Sequence, residues 1–485
     1  MESIYPGRGS HSRRVAAWIA LLAIALGVRV GLAIHFPSML HPDEVFQTLE
    51  PAHRLAYGYG VVSWEWREGV RSWVLPTFLA GLMRATGWMG PGATGYTYAI
   101  TILLSLISLS AVWFGYAWAR RVSGREAACI AAGACAFLIG MVDLAPKALT
   151  EVVAAHILLP GLYLGFYGDR IGEKKRFFLA AILCGLAASL RIQLIPAAAF
   201  AVLYFCYPRW RQRIPVAAAG FSIPVLAFGV VDKLTWSYPW QSFIRYFQIN
   251  VTEGRSLDYG IKPWYWYLLV LLLLLGPMVV FLWKGARRSP LLAVVALIIL
   301  GSHSLLGHKE IRFIYPVLPL AITLSAIGFT DSLASLRTRW KLREFSLSVV
   351  AAGVLCFVLS SAFLIPKLIT SYKASGALVA MDHAGRDAEI CGVGIALDEI
   401  SWWKPGGYSH LHRDIPIVPV MNRADLLSKS PAINALIASA SSSEAPEAFV
   451  KSDCWHGVCL YRRAGACSAP QAEDTLNEFL RRTSQ

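Results

Sequence analysis

Charge is what this chain has least of. Asp, Glu, Lys and Arg make up 15% of its 485 residues while 56% are hydrophobic, and soluble domains carry roughly 25% charged residues. That scarcity excludes an ordinary soluble globule and points to an integral membrane protein. Acids are the scarcer sign, 30 against 45 bases, leaving a balance of +15. In a soluble protein such an excess would suggest nucleic acid; here it has a simpler cause, set out below. Two further absences narrow the function. No Gly-rich phosphate loop or acidic cluster stands in the short basic connectors, which argues against a nucleotide-dependent site there. No internal repeat is evident, and the polar groups collect at one edge of the apolar runs rather than at mid-span, unlike a repeat-built transporter.

What is abundant is the apolar run. Such runs stand near 15–34, 97–118, 127–141, 151–168, 177–190, 193–207, 215–231, 264–283, 290–306, 313–330 and 345–365, which makes about 11 candidate spans. Basic clusters occupy alternate connectors: Arg8, Arg13 and Arg14; Arg120, Arg121 and Arg125; Arg170, Lys174, Lys175 and Arg176; Arg209, Arg211 and Arg213; Lys284, Arg287 and Arg288; Arg337, Arg339, Lys341 and Arg343. With this span count all of them fall on one side, which the positive-inside rule makes cytoplasmic. The basic excess is therefore topology, and no nucleic-acid partner is expected. Residues 1–14 are expected to be a cytoplasmic amino terminus. The first span is longer than a signal-peptide core and lacks a small-residue cleavage site, so it is expected to remain. Residues 15–365 then form a multi-pass membrane domain with external loops at 35–96, 232–263 and 307–312, and 366–485 an external carboxy-terminal domain.

The first external loop opens with His41 to Pro76, rich in charge and aromatics. Pro42 with Asp43 and Glu44 behind it is a helix-start signal, because carboxylates favour the positive end of the helix dipole. Continued at 3.6 residues per turn, Val45, Leu49, Ala52 and Ala56 make one stripe and Asp43, Gln47, Glu50 and Arg54 the opposite one. Pro51 is expected to bend the helix and Gly58 and Gly60 to end it. Ser63, Trp64, Glu65, Trp66 and Arg67 then read as a loop. A flat juxtamembrane helix is the plainer alternative, but acidic residues gain nothing against anionic headgroups.

Further on, Asp143, Lys147 and Glu151 are spaced for one helical side, with i,i+4 pairing as their plain explanation. Arg191, between two apolar runs, reads as a snorkelling anchor or as a phosphate contact. GHKEIRF at 307–313 packs four ionisable groups at a membrane edge, where each is costly unless paired or functional. If helical, it would put His308 and Arg312 on one face with Lys309 within a turn. The tail alternates short apolar runs (390–397, 415–420, 458–461) with expected helices at 432–440 and 473–481, a small α/β domain. Its Cys391, Cys454, Cys459 and Cys467 could form two disulfides with three possible pairings, with a zinc site as the rival.

An external acidic pair, an external basic cluster and aromatic loops on a polytopic bundle fit transfer of a group from a lipid phosphate carrier to an external acceptor. The phosphate needs cations, and a hydroxyl acceptor needs a base.

The stretches HPDEVFQ, SWEWREGVRSWVLP, YFQINVTEGRSLDYGIKPWYWY and HKEIRFIYPVLPL together resemble glycosyltransferase family 22, the Alg9-like mannosyltransferases that include GPI mannosyltransferases. The resemblance covers roughly residues 15–330, with GGYSHLHRDIP at 406–416 as a weaker extension into the tail. It implies an α-helical polytopic membrane protein of the GT-C glycosyltransferase fold. It also implies a polyprenyl-phosphate mannose donor, such as dolichyl phosphate mannose, used on the non-cytoplasmic face with inversion at the anomeric carbon. By position in the motifs, Asp43 is the expected base, with Glu44 beside it and His41 and Gln47 shaping the site. Glu65, Trp66, Arg67 and Arg71 are expected to bind acceptor or donor sugar, with Tyr259 and Gly260 lining the acceptor groove. His308, Lys309 and Arg312, with Arg191, are expected to meet the donor phosphate. Two adjacent carboxylates also suit a divalent metal, but Lys and Arg alone can meet a lipid monophosphate, so no obligatory metal or cofactor is expected. The partners implied are the bilayer, the lipid-linked sugar donor and a glycan or glycolipid acceptor. The expected place is a bacterial inner membrane with the site facing the periplasm, the alternative being the endoplasmic reticulum membrane with a lumenal site. Transfer of another sugar such as arabinose, and a flippase of lipid-linked sugars, remain as rival functions.

Overall fold

The computed structural model describes residues 8–340, 346–442 and 448–483. Lys341 and Arg343 of the last basic connector lie outside them, as do residues 1–7; of the side chains of Arg8, Arg13, Arg14 and Arg339 nothing is described. The chain divides into two compact units. One comprises residues 1–32, 103–227 and 249–365, the other 33–102, 228–248 and 366–485.

The first unit is helical. Among the described residues seven helices are long and apolar enough to cross a membrane: Val15–His35, Thr94–Phe137, Thr150–Tyr167, Trp210–Thr235, Trp266–Arg288, Val317–Ala334 and Leu347–Lys373. The protein is an integral membrane protein. The remaining apolar runs are also helical but shorter or more charged. Ile192–Cys206 and Pro290–Ser304 are short apolar helices, and Glu173–Leu190 opens on a charged turn. Thr94–Phe137 leaves helical geometry at Gly124, with φ 87 and ψ -164, so the apolar runs near 97–118 and 127–141 are two helices on either side of a kink.

Lipid tails are as apolar as leucine, so helices in a bilayer associate by close packing of small residues and by polar contacts. Both devices are present. Ala127, Ala128, Ala131, Ala132, Ala134 and Ala136 are wholly buried, which lets neighbouring backbones approach. Arg29, itself buried inside the first span, donates to the carbonyls of Ala25, Ala136 and Cys135 at 2.9 Å each. The basic connectors meet in ion pairs: Arg121 with Asp169 at 3.2 Å, Arg176 with the same carboxylate at 3.2 Å, Arg213 with Glu173 at 2.6 Å, Arg288 with Asp331 at 2.9 Å and Arg337 with Glu126 at 2.5 Å. Arg288 also reaches the Val122 carbonyl, so connectors far apart in sequence are joined.

The second unit holds a five-stranded sheet, β1 (Val393–Ala396), β2 (Ile417–Val420), β3 (Ala435–Ser439), β4 (Val450–Trp455) and β5 (Val458–Arg462). The order is β2-β1-β3-β5-β4. β1 runs parallel to β2 and β3, while β5 is antiparallel to β3 and β4. The helix expected at 432–440 is strand β3 instead. Its alanines favour a helix, but Ala435 to Ala438 are buried throughout between two neighbours, and burial on both faces of a sheet overrides propensity. The disulfides are Cys391–Cys467 and Cys454–Cys459, and the second closes the β4–β5 hairpin at directly paired positions. All four tail cysteines are thereby taken, which removes the zinc alternative. The same unit's core includes Met39, Val45, Phe46 and Val61 from the first loop together with Met381, Ile395, Leu411, Ile437 and Leu480 from the tail.

Candidate active site

In the second unit, the His41 to Pro76 stretch does not form one regular amphipathic helix. Pro42–Glu44 makes a first turn, with Asp43 and Glu44 in it and the Glu44 amide donating to the His41 carbonyl at 3.0 Å. Val45–Leu49 widens into a π-type turn, in which the Glu50 amide reaches back to the Val45 carbonyl. The next donor in line would serve the Phe46 carbonyl, but it is Pro51, which has no N–H. That carbonyl is instead taken by the Trp66 indole at 3.1 Å and the Ser63 hydroxyl at 3.4 Å. One proline thus couples the two motif blocks of the loop. It also explains why Trp64–Arg67 is a helical turn with Trp64, Glu65 and Trp66 buried, not the open loop expected.

The extra residue in the turn shifts the register, and the helix Glu50–Tyr57 presents a different face from the one read from sequence. Val45, Ala52 and Ala56 are buried as expected, but so is Glu50, wholly. Its two carboxylate oxygens accept from the Val61 amide at 2.6 Å and from the Ser409 amide. Burial, opposed by these hydrogen bonds, pushes its carboxyl up to about 7. Gly407 makes this approach possible: it lies at φ +68, and a Cβ there would sit 2.8 Å from the Glu50 carboxyl carbon. One turn on, buried His53 pairs through Nε2 with His412 Nδ1 and through Nδ1 with the Tyr59 carbonyl, both at 3.0 Å. Burial first of all holds His53 down to about 3. It is therefore neutral, its Nδ1–H donates to Tyr59, and its Nε2 accepts from His412. Gly58, at φ 95, ends the helix as expected.

Around the carboxylates, Gln47 donates to Glu65 Oε1 at 3.0 Å, and Arg71 lies 3.9 Å from the same oxygen. Glu65 is buried, and burial raises its pKa; Arg71 opposes that rise and the Asp43 carboxylate adds to it. Asp43, Gln47, Glu65 and Arg71 therefore share one electrostatic cluster. The Trp236 indole donates to the Arg71 carbonyl at 3.1 Å, and the Arg71 guanidinium lies over Tyr246. Glu44 and His41 are half-buried at the start of the same helix. Arg67 donates to the Val62 carbonyl at 2.6 Å and the Leu480 carbonyl at 3.2 Å, clamping loop to tail.

In the first unit a second cluster gathers the remaining candidates. The segment around 308 is not helical; only Ile311–Ile314 forms a tight turn. His308 and Arg312 therefore do not share a helix face, and Glu310 joins them instead. It lies 3.2 Å from His308 Nε2, and it accepts from Arg312 Nη2 at 2.8 Å and Nε at 3.0 Å. Glu310 raises the pKa of His308, burial opposing it. Arg312 Nη1 donates to Glu151 Oε1 at 2.7 Å, and Arg191 lies 3.6 Å from the other Glu151 oxygen. Arg191, Glu151 and Arg312 are all buried. Asp143, Lys147 and Glu151 do not share a helix: Ile139–Leu144 ends before Thr150–Tyr167 begins, and Glu151 turns to the two arginines. Nor is Arg191 a snorkelling anchor, since it is buried against the Phe313 ring at 5.0 Å. Lys309 Nζ donates to the Lys262 carbonyl at 3.2 Å and to the Leu306 carbonyl, and burial lowers its pKa. His308 Nδ1 lies 3.2 Å from the Gly260 carbonyl and its ring packs against Tyr259. Glu50, Glu151 and Glu310 escaped the sequence reading as site-shaping groups. For Glu151 the signal was available, a carboxylate at the head of an apolar run.

A model of the family described as the Alg9-like mannosyltransferase family matches residues 18–412. The chain is 26% identical over 421 residues to GPI mannosyltransferase 3 of Yarrowia lipolytica, covering 82% of this chain and 76% of that one. It is 28% identical over 338 residues to GPI alpha-1,2-mannosyltransferase 3 of Mus musculus, covering 65% and 59%. It is 26% identical over 349 residues to Mannosyltransferase APTG1 of Arabidopsis thaliana, covering 66% and 60%. The chain thus spans about three fifths of the mouse and Arabidopsis proteins. Among solved structures it is similar to ArnT from Cupriavidus metallidurans bound to undecaprenyl phosphate, with TM-score 0.65, 14% identity and coverage of 94% of this chain and 99% of that one. The apo state of the same protein gives 0.57 at 14% identity, covering 94% and 100%. At that identity the likeness is one of fold.

Proposed function

This chain belongs to the Alg9-like mannosyltransferase family and is a glycosyltransferase with the GT-C fold, and from that premise we propose that it transfers mannose from a polyprenyl-phosphate donor. The acceptor is a glycan or glycolipid, and the reaction takes place on the non-cytoplasmic face. The observation that carries this reading is the clustering of Asp43 with Gln47, Glu65 and Arg71, residues that the sequence distributes over two motif blocks.

Asp43, in the first turn of its helix, takes the proton from the acceptor hydroxyl. The freed oxygen attacks the anomeric carbon as the bond to the donor phosphate breaks, and a single displacement inverts that carbon. Glu44 orders the acceptor beside Asp43, while Gln47, Arg71 and the buried Glu65 hold the local field. The leaving phosphate carries the electron pair away, and cations must meet it. Arg312, Lys309, His308 and Arg191 are the groups we assign to that task, with Tyr259 and Gly260 at the edge of their cluster. No obligatory metal enters the proposed reaction, because these side chains supply the positive charge. The membrane is a bacterial inner membrane in this reading, with the periplasm as the working side.

Transfer of radiolabelled mannose from synthetic polyprenyl-phosphate mannose into membrane glycolipid tests the proposal, comparing wild type with Asp43→Asn at equal expression. Incorporation by wild type, reduced roughly 10²- to 10⁴-fold in the variant, is expected for loss of a general base. Full activity of Asp43→Asn would remove the base. Labelled donor crossing the membrane with no incorporation into any acceptor would replace the reading with a flippase.

A further inference from the structure

Arg312 is held by two carboxylates of its cluster. Three of its nitrogen atoms face carboxylates, two on Glu310 and one on Glu151. A guanidinium holds a phosphate through that same fork, so the ligand and Glu310 compete for one face. The two carboxylates differ in freedom. The Glu151 side chain is 1% exposed, whereas that of Glu310 is 34% exposed, on an extended stretch of backbone just before the Ile311–Ile314 turn. Glu310 can swing outward into solvent; Glu151 cannot leave without stranding a buried charge.

We propose that Glu310 is a placeholder: it fills the Arg312 fork while no phosphate is bound, and the donor phosphate displaces it. The inference rests on the assignment of this cluster to the donor phosphate. Glu151 is the permanent anchor that keeps Arg312 aimed, and His308, 3.2 Å from Glu310, retains the displaced carboxylate at the rim.

The neighbouring arginine supports the exchange. Arg191 is buried, its ion pair with Glu151 is longer than a hydrogen bond at 3.6 Å, and its Nε has no hydrogen-bond partner among the described residues. A buried guanidinium with donors to spare is a standing demand for another anionic oxygen. Charge makes the exchange even. Arg191, Lys309 and Arg312 against Glu151 and Glu310 leave one net positive charge before His308 is counted. A phosphodiester donor carries a single negative charge, so it replaces Glu310 without changing the total.

Binding of undecaprenyl phosphate to the purified full chain in detergent, with inorganic phosphate as the headgroup control, tests this. A placeholder lowers apparent affinity by the fraction of molecules whose fork is free. If about one molecule in ten has a free fork, Glu310→Gln and Glu310→Ala bind roughly tenfold more tightly than wild type. A carboxylate that merely orients Arg312 predicts the reverse sign, so unchanged or weaker binding in both variants overturns the placeholder. Glu151→Gln is expected to weaken binding. Wild type that binds no better than Arg312→Lys and Arg191→Gln would instead overturn the phosphate assignment, a result distinct from failure of the placeholder alone. Inorganic phosphate matching the lipid in affinity would assign the site to free phosphate and overturn a lipid-linked donor there.

Discussion

At the scale of single residues, the second unit is decided by buried groups that hold backbone. Glu50 shows how much one carboxylate can control: it accepts amides from residues 61 and 409, tying the first loop to the GGYSH segment. Its carboxyl titrates at about 7 against an ordinary 4.5. The folded chain therefore holds a proton that the unfolded chain has already lost. Its contribution to stability is complete below pH 4.5 and is lost as pH rises through about 7. Glu50→Gln is expected to remove that slope. Thermal unfolding of the detergent-solubilised chain from pH 4.5 to 8 measures it: wild type should lose on the order of 3 kcal/mol relative to the variant across the window. At the acid end wild type should be the more stable by about 1 kcal/mol, because an amide is the poorer acceptor, so the two curves cross as pH rises. Parallel curves would mean that Glu50 stays ionised.

At the scale of elements, the widened turn before Pro51 and the strand β3 are the two places where local preference yields to context. The disulfides belong here as well. Cys391–Cys467 joins residues 76 apart and Cys454–Cys459 residues 5 apart. In the chain-entropy account a cross-link stabilises more the longer the loop it closes. Replacing the first pair by serine should cost about 4 kcal/mol and the second about 2. Proteolysis of the tail in rising denaturant, run on the full chain, ranks the two. A larger loss from the hairpin pair would show that loop closure is not the dominant contribution.

At the scale of the molecule, topology is the property that function depends on. The basic connectors around 121, 170, 210 and 288 interlock through Asp169, Glu173 and Asp331, as connectors sharing one side would. A cysteine placed at exposed Arg170 should then react with a membrane-impermeant thiol reagent only from the cytoplasmic side, and one at exposed Lys262 only from the outside. Cys129 and Cys356, the half-buried free cysteines, would first be replaced. Labelling of both from the same side would overturn the span count.

The sequence alone determined the helical membrane character, the family and the membership of the motif blocks, because long apolar runs and the rare polar stretches between them are legible without coordinates. It also carried Gly58 as a helix end and the strands near 393 and 417, whose signals are local. Tertiary structure decided the rest. Which cysteines pair, whether 435–439 is helix or strand, and which way Glu50 faces all depend on partners distant in sequence, such as Ser409 for Glu50 and β1 for β3. Glu151 looked like an i,i+4 partner because helical spacing says nothing of a break at 145–149. Its true partners, Arg191 and Arg312, lie 40 and 161 residues away. Buried charge finds its partner by desolvation cost, not by spacing along the chain, and only the fold shows which partner it finds.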